Sequence, residues 1–123
     1  MSLKIIMGNM FSGNTTELIR RLKRYKVIGK RILVLNSSLD TRSSDEVLKT
    51  HDNSKFECLK VSNLEEVDYS MVDVIAVDEA QFFSGLKSFV EKVLTDNKTI
   101  LLAGLDGDYK QEKIGEILDC VPL

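Results

Sequence analysis

The feature that most constrains the fold is a glycine-bounded loop, Gly8-Asn9-Met10-Phe11-Ser12-Gly13-Asn14-Thr15. It follows an apolar run at 3–7 and opens directly into a helical pattern at 17–28. A strand, a glycine-bounded loop and a helix in this order form a P-loop, in which main-chain N–H groups and the positive helix end hold phosphate oxygens. The spacing G-x-x-x-x-G-x-T therefore predicts a nucleotide-phosphate cradle.

One position departs from that pattern, because Asn14 stands where a P-loop has its lysine. Asparagine can donate a hydrogen bond, but it lacks the mobile full charge that reaches the β- and γ-phosphates. The spacing thus predicts phosphate binding and leaves phosphoryl transfer open. An ordinary strand-turn-helix corner, in which the glycines serve only the turn, is the alternative interpretation.

Size and composition are those of a globular protein with one domain, residues 1–123, of which 43% are hydrophobic and 29% charged. The net charge of −2 argues against a dedicated nucleic-acid partner. No apolar run approaches a membrane span and the N-terminus has no signal-peptide pattern, so a cytoplasmic protein without a membrane partner is expected. Cys58 and Cys120 are isolated in apolar stretches, which predicts reduced packing residues.

Apolar strands alternate with amphipathic helices, a pattern that predicts an α/β fold with a mostly parallel sheet flanked by helices. The predicted strands are 3–7, 31–36, 56–61, 72–77 and 98–105, and the predicted helices are 17–28, 63–69, 82–95 and, weakly, 114–121. Thr15 or Thr16 is expected to cap the first helix and Gly29 to end it, while Asn63 caps the second. Residues 37–54 are predicted to form a long polar loop.

The strand at 72–77 ends in an acidic pair, Asp78-Glu79. In a doubly wound sheet, ligands bind at the carboxyl ends of the strands. A hydrophobic strand that ends in an acidic pair downstream of a P-loop is typical of a Walker B motif. Asp78 is then predicted to hold Mg²⁺ together with the Thr15 hydroxyl, and Glu79 to take a proton from an attacking hydroxyl. A solvated acidic turn is the alternative.

Several stretches together resemble one family, the thymidine kinases of the cellular-cytosolic, bacterial and poxviral type. The matching segments are Met10-Phe11-Ser12-Gly13 with Thr16-Glu17-Leu18-Ile19-Arg20-Arg21, Asp40-Thr41-Arg42, Thr50-His51-Asp52, Asp78-Glu79-Ala80-Gln81-Phe82-Phe83, Leu105-Asp106-Gly107, and Ile117-Leu118 with Val121-Pro122-Leu123. They occur in the family's order and spacing over the whole chain. The expected fold is accordingly α/β and P-loop NTPase-like (RecA-like).

The resemblance implies transfer of the ATP γ-phosphate to the 5′-hydroxyl of thymidine, with Mg²⁺ as cofactor. The ATP-binding residues it implies are Gly8, Asn9, Met10, Phe11, Ser12, Gly13, Asn14, Thr15, Thr16, Asp78 and Gln81. Glu79 matches the proposed general base, and Arg42 matches a residue near the transferring phosphate. Met10, Gln81, Phe82, Leu105 and Tyr109 match positions that line or border the nucleoside pocket. The family also implies a homo-oligomer, commonly a tetramer.

The chain departs from the family at several places besides Asn14. Asn9 replaces a proline, and the stretch 108–114 is more acidic and lacks a phenylalanine. The family continues beyond position 123 into a four-cysteine zinc subdomain and a lasso loop over thymidine. No zinc is therefore expected in this chain, and the nucleoside site is expected to lack its lid.

These departures predict that the chain turns over slowly if it is an enzyme of the family. Two other functions remain as alternatives. One is a catalytically inactive nucleotide-binding or regulatory relative. The other is a general P-loop ATPase that acts on nucleic acid through the basic run at 20–31. A solvated helix face is the simpler interpretation of that run.

Overall fold

The architecture was determined from a computed structural model, which describes residues 2–8, 14–37, 47–49, 55–105 and 120. Within these ranges the elements in chain order are β1 (Ser2–Gly8), α1 (Asn14–Val27), β2 (Ile32–Ser37), β3 (Val47–Lys49), β4 (Lys55–Glu57), β5 (Leu59–Val61), β6 (Val74–Val77), α2 (Leu86–Thr95) and β7 (Thr99–Leu105). Two short 3₁₀ helices, Leu64–Glu66 and Ala80–Phe82, precede β6 and α2 respectively.

Five of the strands form one sheet in the order β1-β7-β6-β2-β5, and every neighbouring pair is parallel. One row across the sheet joins Ile5, Leu102, Val77, Leu35 and Leu59. The strand β7 therefore lies between β1 and β6, although it follows both in the sequence. This confirms the predicted α/β class with a P-loop NTPase-like (RecA-like) parallel sheet, and it places all five carboxyl ends at one edge.

The two faces of the sheet are covered by different helices. On one face, Leu18, Ile19 and Leu22 of α1 are fully buried against a cluster that includes Val34 and Ala76. On the other face, α2 and the first 3₁₀ helix pack on the cluster that includes Leu35 and Val77. Helices on opposite faces are what right-handed crossovers require, because the chain crosses the sheet in opposite directions from β1 to β2 and from β6 to β7.

The predicted end of the first helix is confirmed in detail. Gly29 has a φ of 83°, its N–H donates to the Lys26 carbonyl at 3.0 Å, and the Lys30 N–H donates to the Tyr25 carbonyl at 3.0 Å. This pair of bonds is a Schellman motif, which needs a left-handed residue that glycine adopts without steric cost. The predicted caps at Thr15 or Thr16 are wrong, because α1 begins at Asn14 and includes both threonines.

The predicted strand at 56–61 divides into two strands of different sheets. The break is at Cys58, after which β5 joins the parallel sheet, whereas β4 pairs antiparallel with β3. The predicted loop at 37–54 thus contains a strand of its own. Pairing between strands distant in sequence decided this division, and apolar content alone does not report it.

Other predictions near the second half of the chain are confirmed with changed bounds. The Asn63 side chain caps its segment by accepting from the Glu65 N–H at 3.0 Å, although the segment is a single 3₁₀ turn. The helix predicted at 82–95 begins at Leu86. Cys58 and Cys120 are buried, as expected of packing residues. The predicted helix at 114–121 lies outside the described residues, apart from Cys120. No helix in the described ranges is long and apolar enough to cross a membrane.

Candidate functional site

The carboxyl end of β6 carries a buried carboxylate. All four residues of β6 are buried, and Asp78, directly after them, is only 5% exposed. The Asp78 N–H donates to the Leu35 carbonyl of β2 at 2.9 Å, so the ladder continues one residue beyond the strand. Side chains alternate along a strand, and Val77 faces the α2 side. Asp78 therefore faces the side of the sheet that α1 covers.

Glu79 turns the chain sharply after this carboxylate. Its backbone is left-handed, with φ 53° and ψ 46°, and it precedes the 3₁₀ helix, whose Phe82 N–H donates to the Glu79 carbonyl at 3.1 Å. The turn is held in place by Ala80 and Phe83, which are 0% and 4% exposed. A left-handed non-glycine residue costs about 1 kcal/mol or more, and such residues cluster at functional sites. The Glu79 side chain remains partly exposed at the edge of the sheet.

The two ends of the predicted phosphate loop lie at the same edge as the acidic pair. Gly8 is the last residue of β1, and Asn14, Thr15 and Thr16 form the first turn of α1. Since β7 alone separates β1 from β6, the two strands are two strand spacings apart, about 10 Å. The end of β1 lies further along the sheet, because Gly8 pairs with Leu105 of β7 and Val77 with Leu102. The positive end of α1 therefore opens on the edge that carries Asp78, an arrangement that suits an anion with a bound cation.

Asn36 is a residue of this edge that the sequence did not single out. It lies in β2 next to Leu35, is 4% exposed, and its side chain is on the α1 side, as is that of Val34. Its Oδ1 atom is buried and accepts no hydrogen bond in the part of the chain that the structure describes. An unsatisfied buried acceptor costs about 1–3 kcal/mol. The available signal was a polar side chain directly after the apolar run at 32–35.

The donor atoms at this edge suit Mg²⁺. Asp78 supplies a carboxylate and Asn36 an unpaired amide oxygen, both of them hard donors of the kind that Mg²⁺ prefers. No group of three or more His, Cys, Asp or Glu side chains that could hold a metal occurs among the described residues. Mg²⁺ does not need such a group, because it takes one or two carboxylates and completes its shell with waters and phosphates.

The remaining predicted site residues fall into two sets. Phe82 is partly buried in the second 3₁₀ helix, Gln81 precedes it there, and Leu105 ends β7 at the same edge. The structure thus brings these three positions to the edge that carries Asp78 and Glu79. The other predicted residues lie outside the described ranges: Asn9, Met10, Phe11, Ser12, Gly13, Arg42 and Tyr109.

The basic run on α1 is partly neutralised by a carboxylate of the same helix. Glu17 accepts from the Arg21 Nε at 2.8 Å and forms a second ion pair with Arg20. The hydrogen bond from Arg21, followed by the contribution of Arg20, lowers the pKa of Glu17. Pairs at these spacings are typical of a solvated helix face, which favours that interpretation of the run over a nucleic-acid contact.

The protein is of the P-loop NTPase-like class. This class is indicated by a parallel sheet with helices on both faces, a glycine at the end of the first strand and a buried aspartate two strands away. The family model described as thymidine kinase matches residues 1–123. The chain belongs to the thymidine kinase family, and the resemblance seen in its motifs is confirmed.

Three relatives illustrate the similarity. Thymidine kinase a of Arabidopsis thaliana is 40% identical over 130 residues, covering 99% of this chain and 55% of the relative. Bovine cytosolic thymidine kinase is 40% identical over 123 residues, covering 98% and 51%. The thymidine kinase of variola virus is 37% identical over 123 residues, covering 98% and 69%. The chain spans about half the length of the plant and bovine relatives.

Proposed function

We propose that this protein binds ATP at the carboxyl edge of its sheet and transfers the γ-phosphate to the 5′-hydroxyl of thymidine. The observation that carries the proposal is the buried carboxylate of Asp78, followed by the left-handed Glu79, at the edge where β1 ends and α1 begins. Phosphoryl transfer depends on positioning and on charge stabilisation, and this edge offers groups for both.

The chain's own groups divide into those that bind the nucleotide and those that act on the acceptor. Main-chain amides of 8–16 and the N-terminus of α1 hold the phosphates, and Asp78 with the Thr15 hydroxyl holds Mg²⁺. The cation, when bound, neutralises charge on the β- and γ-phosphates. Glu79 takes the proton of the 5′-hydroxyl, for which a partly exposed carboxylate beside the edge is suited.

Further residues enter the proposal through the family's motifs. Arg42 stabilises the equatorial oxygens of the transferring phosphate, since a guanidinium can contact two oxygens at once. Met10, Gln81, Phe82, Leu105 and Tyr109 surround the nucleoside, and Gln81 also borders the ATP site. Homo-oligomer formation, as a tetramer, belongs to the same proposal.

A second candidate function is favoured by one residue, Asn14. The lysine that it replaces supplies a charge-assisted contact to the phosphates, and loss of such a contact costs about 2–4 kcal/mol, or a hundredfold or more in rate. On this candidate the chain binds nucleotide without efficient turnover and acts as a regulatory relative of the thymidine kinases. The two candidates share the phosphate site and differ in whether thymidine is phosphorylated.

The first test is thymidine-dependent release of ADP from Mg·ATP by the purified protein. Glu79→Gln removes the proposed base and keeps the size of the side chain, so turnover should fall about a hundredfold or more. Glu91→Gln, a matched change at an exposed glutamate of α2, should leave turnover unchanged. Equal turnover in wild type and Glu79→Gln would exclude Glu79 as the base. Absence of any thymidine-dependent release would leave only the second candidate.

Asn14→Lys separates the two candidates. The added charge should tighten ATP binding about tenfold, measured by calorimetry, because it restores a charge-assisted contact to the phosphates. For the regulatory candidate, tighter binding is accompanied by no gain in thymidine phosphorylation. Recovery of rapid turnover by this single change would reject that candidate and identify Asn14 as the reason for a slow enzyme.

A further inference from the structure

The strongest unexplained feature of the described residues is the buried amide oxygen of Asn36. Asn36 and Asp78 are buried polar residues, 4% and 5% exposed, and both follow apolar residues at the carboxyl edge. The two residues are neighbours across the sheet, because Leu35 and Val77 are register partners and the Asp78 N–H bonds to the Leu35 carbonyl. Both side chains are on the side of the sheet that α1 covers.

The chemistry of Asn36 Oδ1 restricts what can occupy the space beside it. The atom is an acceptor without a donor among the described residues, so a phosphate oxygen, which is itself an acceptor, cannot satisfy it. A hydrated cation held by the buried carboxylate of the neighbouring strand would present donors to this acceptor. Mg²⁺ retains several of its waters when it binds a protein, and each of those waters is a donor.

We propose that Asn36 is a positioning residue of the divalent-cation site, whose Oδ1 accepts a hydrogen bond from a water on the cation that Asp78 holds. The inference rests on the proposed function, because it assigns a second oxygen to the site of Mg·nucleotide. In the absence of the cation the acceptor remains buried and unpaired, so the same atom lowers the stability of the protein without ligand. Asn36 thereby couples the stability of this edge to metal binding.

The test uses Asn36→Leu, which keeps the shape and removes the polar atoms. Mn²⁺ binding without nucleotide, followed by electron paramagnetic resonance, should weaken about tenfold, the size of effect typical of a residue that acts through a metal ligand. The thermal midpoint without metal should rise by about 3–5 °C, because the orphaned acceptor is gone. The rise in the midpoint follows from the orphaned acceptor alone, whereas a merely structural role for Asn36 predicts no loss of Mn²⁺ affinity. Unchanged Mn²⁺ affinity in this variant would therefore overturn the proposal.

Two further variants keep the test decisive. Asn36→Asp places a second carboxylate beside Asp78, so it should lower the midpoint without metal and increase the rise produced by added Mg²⁺. An Mg²⁺-induced rise no larger than that of the wild type would count against the cation site. Val34→Ala, on the same strand and face, should lower the midpoint and leave Mn²⁺ affinity as in the wild type.

The outcomes also separate this inference from the proposed function. If the wild type binds Mg·ATP and Asn36→Leu keeps the full Mg²⁺ dependence of that binding, the inference fails and the proposed function stands. If the wild type binds no ATP, the proposed function fails. Even then, the Mn²⁺ affinities of wild type and Asn36→Leu, measured without nucleotide, decide whether Asn36 belongs to a cation site.

Discussion

The two edges of the parallel sheet differ in whether their polar groups are hydrogen-bonded. At the amino edge, the Tyr69 hydroxyl donates to the Asp96 carboxylate at 2.5 Å, and the Lys98 ammonium donates to the Val72 carbonyl at 2.6 Å. The Asp73 carboxylate accepts from the Arg31 N–H at 2.9 Å. At the carboxyl edge, Asn36 keeps an unpaired buried oxygen and Glu79 a left-handed backbone.

This contrast indicates how the molecule divides stability and function. The paired polar groups named at the amino edge lower the free energy of the folded state. Backbone strain and an unpaired acceptor raise the free energy of the folded state. They persist only where the surrounding structure fixes them, and here the buried strand β6 does so. The edge with the strained residue and the unpaired acceptor is the one that carries the acidic pair and the two ends of the predicted phosphate loop.

The largest effect that tests this contrast is expected from Glu79→Gly. The variant removes the proposed base, so thymidine phosphorylation should fall about a hundredfold or more. It also relieves the left-handed strain, so the free energy of unfolding should rise by up to about 1 kcal/mol in urea titrations. The matched control is Asn97→Gly, since Asn97 has a φ of 62° at the end of α2 and asparagine tolerates that conformation. A loss of stability in Glu79→Gly would contradict the assignment of strain to this edge.

A smaller effect, on stability alone, is expected at the amino edge from Tyr69→Phe. The change keeps the ring, which packs edge-on against Phe89 with 5.8 Å between the ring centroids. It removes only the hydroxyl that donates to Asp96. Unfolding by urea near neutral pH should become easier by about 1 kcal/mol, while ATP affinity stays at the wild-type value. A change in ATP affinity would show that the two edges are coupled.

Tyr69 also makes the stability of the folded protein depend on pH in the alkaline range. Burial, together with the hydrogen bond to Asp96, raises the pKa of Tyr69 to about 12 from its usual 10. Because the folded pKa is the higher one, the stabilisation is complete below about pH 10 and is lost as the pH rises towards 12. The wild type should therefore lose stability across this interval more steeply than Tyr69→Phe, and parallel pH profiles of the two proteins would contradict the assignment.

The smallest effect is expected from Asp73→Asn. The backbone N–H of Arg31 and, more weakly, its guanidinium lower the pKa of Asp73 below its usual value of 3.8. A lowered folded pKa stabilises the protein above that value, and the contribution is lost as the pH falls through the folded pKa. The asparagine still accepts the N–H bond, so the urea midpoint should change little near neutral pH and depend less on pH in the acid range. A pH profile of stability identical to that of the wild type in the acid range would show that the Asp73 carboxylate does not contribute to the stability of the folded protein.

Local features of the chain were predictable because their causes lie within a few residues. Gly29 ends α1 through bonds to the preceding turn, and Asn63 caps the segment that follows it. The inner face of α2 follows from helical periodicity, and its predicted members Leu86 and Val90 are fully buried. The sequence by itself thus determined the identity of most elements and the edge to which the Gly8 and Asp78 segments belong.

Only the tertiary structure decided which elements became neighbours. The insertion of β7 between β1 and β6, and the division of 56–61 between two sheets, depend on pairings of residues far apart in the chain. Asn36 illustrates the same limit for the site, since a polar residue near the end of a strand becomes an orphaned acceptor only when its neighbours exclude water. Burial is a property of the assembled core and is not encoded by the few residues on either side.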